Sequence, residues 1–235
     1  MVAVSSTAVL ARRGWRGAVV GAAASAALFC YVDLLTVPPM SWALCAAVAG
    51  AVGFCAGHTW GSALRGVLAA GAAWPVAFGL TWVSRWVVAA LAQGPSVFSR
   101  VAQIGRFRLD GQEGVAVSGA FGAGVRANWL YWTEAVVTAV PVVVAAGAVC
   151  AGALVVAVRR RGVRGLVVAA VLAVPALVVP AWYAVLSNHS QIHAFFTYRS
   201  LAAAVGVVVM ACLVAARRPV PAGEPVSASA AGRRR

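Results

Sequence analysis

Six long apolar runs dominate this chain, each close to the roughly 20 residues a helix needs to cross the hydrocarbon of a bilayer. They lie at about Ala18–Val37, Met40–His58, Leu64–Val83, Ala135–Val158, Leu166–Leu186 and Leu201–Ala216. The first stops at Pro38-Pro39, because proline turns the residue before it away from helical angles. Ala, Val and Leu surround each run with no polar face, the pattern of buried or lipid-facing helices. The runs do not alternate at period two, as strands of a membrane barrel do. Of the 235 residues, 63% are hydrophobic and 10% are charged, against roughly 45–50% and 25% in soluble domains. No water-soluble core hides that surplus. The composition excludes a disordered chain, a secreted disulfide scaffold and an ordinary soluble enzyme. The expected fold is all-α: a polytopic transmembrane helix bundle, a single domain over residues 1–216, with a flexible basic tail at 217–235.

Charge sets the expected topology. All 19 basic residues are arginine, which together with the Ala, Gly and Val excess reflects a composition biased toward G and C codons. One side collects Arg12, Arg13 and Arg16, then Arg65, then Arg159, Arg160, Arg161 and Arg164, then the tail arginines from Arg217 onward. The other side keeps six: Arg85, Arg100, Arg106, Arg108, Arg126 and Arg199. The richer side is expected in the cytoplasm, which puts both termini inside a bacterial cytoplasmic membrane and leaves one longer extracytoplasmic segment at about 85–134. A five-span reading, with the third run re-entrant, would strand the tail arginines outside. The N-terminal run reads as an uncleaved anchor rather than a signal peptide. No single solvated basic domain exists, so nucleic acid is not an expected partner; the lipid bilayer is, and protein partners stay open.

Cys30, Cys45, Cys55, Cys150 and Cys212 fall inside the runs without a C-x-x-C, so they read as small buried hydrophobes and not as a disulfide framework. Gly17-x-x-x-Gly21, Gly53-x-x-x-Gly57 and Gly57-x-x-x-Gly61 would allow close helix approach. Gly119, Gly122 and Gly124 lack the order and the preceding strand of a phosphate-cradling loop.

Acid–base chemistry gathers on the expected outer side, at Asp33, Asp110, Glu113, Glu134, His189 and His193. In Asn188-His189-Ser190-Gln191-Ile192-His193, Asn188 and Gln191 stand in capping-box register, which would put His189 and His193 on one helical face with Arg199 nearby. Three readings compete. The histidines act as acid or base beside Arg199 on an anion. They hold a divalent metal with a third ligand from Asp33, Asp110, Glu113 or Glu134. Or the segment is a capped interfacial turn in an aromatic belt with Trp182, Tyr183 and Tyr198. Beyond Trp82-Val83-Ser84-Arg85-Trp86, the spacing of Val97, Val101 and Ile104 against Arg100, Gln103 and Arg106 predicts a short interfacial helix. Arg85, Arg100, Arg106 and Arg199 would bind anionic headgroups or a lipid-linked phosphate, or would snorkel to ordinary phospholipid.

These two segments, Trp82-Val83-Ser84-Arg85-Trp86 and Asn188-His189-Ser190-Gln191-Ile192-His193-Ala194-Phe195-Phe196-Thr197-Tyr198-Arg199, resemble a family of uncharacterised bacterial polytopic membrane proteins that pairs W-S-K/R-W with N-H-S-x-x-H-x-F-F-T-Y-R. The resemblance covers about a fifth of the chain and implies an outward-facing site without a reaction. Asp33, just after the first run, resembles in place the acid of membrane glycosyltransferases that use polyprenyl-phosphate sugars. The expectation is an integral membrane protein acting on a lipid-linked or anionic envelope substrate. A transporter or channel, or a non-enzymatic assembly partner, are the alternatives; no acid lies near a span centre to couple ions.

Overall fold

The computed structural model describes residues 2–32, 37–110 and 117–218, with backbone alone for Val2, Ala3, Arg108 and Asp110. These residues form helices and no strand: α1 (Val2–Ala11), α2 (Trp15–Val32), α3 (Pro38–Gly57), α4 (Trp60–Gln93), α5 (Ser96–Asp110), α6 (Ala123–Ala135), α7 (Ala139–Arg161) and α8 (Val163–Ala173). A 3-10 turn at Val174–Leu177 leads into α9 (Val178–Val185), then α10 (Ser187–Ile192), α11 (Ala194–Thr197) and α12 (Arg199–Ala216). Among the described residues six helical stretches are long and apolar enough to cross a membrane: α2, α3, α4, α7, the run Val163–Val185 and the run Ala194–Ala216. Each corresponds to one of the apolar runs.

The first ten residues depart from expectation. α1 is too short to span, and it folds back along α2 and also meets α3. Gly14, in the left-handed region at φ 89°, makes the turn. Glycines then let the two backbones touch. Gly17 faces the Leu10 carbonyl, and a Cβ on Gly21 would stand 2.8 Å from the Thr7 Cα. Thr7 is fully buried, with its hydroxyl 3.1 Å from Ser25 Oγ and donating to Cys45 Sγ at 3.5 Å. The Gly17-x-x-x-Gly21 spacing therefore does serve close approach.

Pro38 and Pro39 open α3, where a missing N–H leaves no rung unmade. α3 ends at His58, a non-glycine residue at φ 54° whose N–H returns to Phe54 O at 2.7 Å. Thr59 follows as a cap: its Oγ1 accepts from Ser62 N at 3.1 Å, while Ser62 Oγ accepts from Thr59 N at 3.4 Å. Gly53 and Gly57 seat this turn, since a Cβ on either would lie under 3 Å from Ser62.

α4 runs 34 residues, about 51 Å at 1.5 Å per residue, and overshoots the expected end near Val83. It crosses Arg85 because that charge is used on a neighbour: Nη1 donates to Cys30 O at 2.9 Å, at the negative C-terminal end of α2, and the guanidinium lies over Tyr31. Pro75 sits within α4 and has no N–H for the Gly71 carbonyl. Trp42 of α3 fills the gap, its Nε1 donating to Gly71 O at 2.8 Å. Trp42 also stacks on Trp74, which starts a column at four-residue spacing through Phe78, Trp82 and Trp86. The W-S-R-W segment thus continues an aromatic core toward the polar end.

α1 to α4 pack around Cys30, Cys45, Trp74 and Phe78. A second core joins Phe54 and Ala63 to Ala157, Leu172 and Ala211, and a third joins Ala43 to Val179, Tyr183 and Val207. All five cysteines are free thiols.

Candidate functional site

The bundle has two chemically distinct ends. Shared cavities put Arg12 with Arg65, and Arg160, Arg161 and Arg164 with Arg217 and Arg218 around His58, so the arginine-rich turns lie at one end. The histidine segment and α5 lie at the other.

At this polar end the chain builds a knot around Asn128 of α6, which is fully buried. Its Nδ2 donates to Gly124 O at 2.8 Å and to Ser190 O at 2.9 Å. Its Oδ1 accepts from Thr197 Oγ1 at 2.6 Å, and that hydroxyl also stands 3.0 Å from His193 O. The Tyr183 hydroxyl donates to Thr197 O. The broken helix α9–α10–α11 leaves carbonyls without ladder partners, and these side chains supply the donors. Gly124 permits the approach: a Cβ there would stand 2.5 Å from Tyr183 O and 3.2 Å from Ser190 Cβ.

Asn188 and Gln191 do not form the expected capping box. α10 begins at Ser187 without a side-chain cap. Asn188 Nδ2 instead donates to Phe107 O of α5 at 2.6 Å. The Gln191 carboxamide pairs with the Ser118 backbone in both directions, at 3.0 and 2.9 Å. The unpaired carbonyls of other segments drew these amides away from their own helix.

The predicted site residues divide as follows. His189 and His193 do come together, with ring centroids 4.7 Å apart. The helix breaks at His193, yet its N–H still reaches His189 O at 3.0 Å and keeps the four-residue step. His189 is 7% exposed and His193 is half-buried. Arg199 is exposed and lies over Phe196. α5 forms as expected; Val97 is buried, while Arg100 and Arg106 are exposed. Ile104, expected on the apolar face, is 53% exposed. Glu134 is exposed at the far end of α6. Asp33, Glu113 and the side chain of Asp110 lie outside the described residues. Among the described residues no third histidine, cysteine or carboxylate joins the histidine pair to complete a metal-ligand set.

The sequence reading overlooked a groove of about 330 Å³ between the Ser118 loop and the first turns of α6. Arg126, Ser118 and Gln191 give it polar character, while Phe121 and Leu130 line it with apolar surface. Phe121 is wholly exposed. Gly122, at φ 78°, turns the chain into α6. The open N–H groups of that first turn add positive potential beside Arg126. The glycine-rich stretch carried this signal, but only as a helix start and not as a phosphate loop. Gln191 sits about 200° around α10 from His189, so the groove and the imidazoles occupy different sides of that segment. Among family models, curated proteins and solved structures, none matches this chain.

Proposed function

We propose that this is a multi-pass protein of the bacterial cytoplasmic membrane, with both termini in the cytoplasm, that binds an anionic, lipid-linked envelope molecule at its extracytoplasmic end. The groove beside Arg126 carries the reading. A guanidinium and a helix N-terminus favour a phosphate, and the charge-assisted contact is strong where water is scarce. Phe121 and Leu130 offer the adjoining apolar surface that a lipid chain needs. Both segments of the family resemblance lie at this end, which supports the same placement. Should the protein transform its ligand, the proton carriers would be His189 and His193, whose rings already touch beside Arg199.

The test is binding by purified protein in zwitterionic lipid, with polyprenyl phosphate against neutral polyprenol. Wild type is expected to prefer the phosphate, and Arg126→Gln to lose about tenfold of that preference. Equal binding of phosphate and alcohol refutes the reading. A cysteine placed at Ser118 is expected to react with an impermeant maleimide added outside intact cells; protection there and labelling only from the cytoplasmic side refutes the orientation.

A further inference from the structure

The basic end holds two cavities, of about 570 and 430 Å³, that share His58 and Arg161 as a common wall. Arg160 and Arg164 border the first with Trp60 and Val168; Arg217 and Arg218 border the second with Phe54 and Cys55. Three separate turns converge here: His58-Thr59 between α3 and α4, Gly162 between α7 and α8, and the end of α12.

Hydrogen bonds splice the three into one rim. Arg160 Nη1 donates to Ala216 O at 2.6 Å and Arg161 Nη2 to Arg217 O at 3.1 Å, which closes the C-terminus of α12. Arg217 Nη1 reaches Cys55 Sγ at 3.3 Å, and the Arg161 guanidinium lies over the Phe54 ring. These contacts use N–H groups but neutralise no charge. Glu134 is the sole acid whose side chain is described, and it sits at the opposite end. Arg161 Nε is buried without an acceptor among the described residues, a donor that stabilises the fold only when something accepts from it. The positive-inside rule accounts for arginines at this end. It does not account for five of them around two hollows with apolar walls.

We propose that this basin binds the phosphate of an anionic phospholipid, with His58 and Arg161 in the shared wall and Arg164 and Arg218 at the two mouths. Two hollows with one wall suit a headgroup with two phosphates, and Phe54, Trp60 and Val168 face the start of its acyl chains.

The full chain in phosphatidylcholine nanodiscs, doped with diphosphatidylglycerol or phosphatidylglycerol and read by native mass spectrometry, tests this. Inorganic phosphate forms a parallel arm. The expected order is diphosphatidylglycerol over phosphatidylglycerol, with inorganic phosphate weakest. Arg164→Gln with Arg218→Gln, which spares the arginines that close α12, weakens lipid binding about 25-fold, at about fivefold per charge near a bilayer surface. Arg13→Gln with Arg16→Gln removes the same charge from the same end and leaves binding unchanged. Equal losses in the two pairs, or no preference over phosphatidylcholine, overturn the proposal. Inorganic phosphate binding as tightly as the lipids overturns the lipid assignment.

Discussion

Replacing Asn128 with alanine tests whether the polar knot holds the outer end together. Asn128 gives up three hydrogen bonds, but they are not equal. The Gly124 carbonyl is already engaged in the α6 ladder four residues on, so its loss counts little. Ser190 O loses its 2.9 Å donor and keeps only Thr197 Oγ1 at 3.5 Å. Thr197 loses its 2.6 Å acceptor but retains His193 O at 3.0 Å. Two bonds at about 0.6–1 kcal/mol each, plus about 1 kcal/mol for a buried carbonyl left nearly bare, give a loss of about 2–3 kcal/mol. The assay is reversible unfolding in mixed detergent micelles as the denaturing detergent fraction rises. Thr197→Val in the same background isolates the Asn128–Thr197 pair, with an expected coupling of about 0.6–1 kcal/mol. Hydrogen exchange is expected to rise in α6, α10 and α11 and to stay unchanged in α2 and α3. An Asn128→Ala loss below about 0.5 kcal/mol, or exchange rising evenly along the chain, refutes the reasoning.

Two further outcomes follow from close approaches. Gly124→Ala drives a Cβ to 2.5 Å from Tyr183 O and is expected to destabilise by about 1–3 kcal/mol, whereas Gly147→Ala, with nothing within 4 Å, is neutral or slightly stabilising by the same unfolding assay. Thr7→Val removes the hydroxyl that meets Ser25 and Cys45. It is expected to loosen α1 by about 1 kcal/mol and to speed maleimide labelling of Cys45, with labelling of Cys55 unchanged.

The six spanning stretches were legible because a 20-residue apolar run has few other uses. α5 was legible because Val97 and Val101 recur at helical spacing against arginines. α1 was not: ten apolar residues fall below any spanning length, and only Gly17 and Gly21 hinted at a backbone lying against α2. The end of α4 was misplaced because Arg85 reads as a stop until its carbonyl partner, 55 residues away in sequence, is known. The histidine pair was found from its four-residue spacing, while its surroundings were not. Asn188, Gln191 and Asn128 serve carbonyls on other segments, and no local pattern announces a distant carbonyl. His58 escaped notice because nothing beside it marks a helix end that a histidine, rather than a glycine, will close.

The proline in α4 has a mechanical consequence. A rod of about 51 Å tilted by 5° moves its tip by about 4 Å, and that tip leads into α5, which is tied to α10 through Phe107 and Asn188. Pro75 divides the rod near its middle, at the one rung α4 cannot make for itself, and the indole of Trp42 occupies the gap. While that bond holds, α4 turns as a single piece and displacement at the arginine turns is passed on to the histidine segment. When it opens, the upper half bends alone. Trp42, on a different helix and far from both ends, therefore sets whether the two faces of the protein move together.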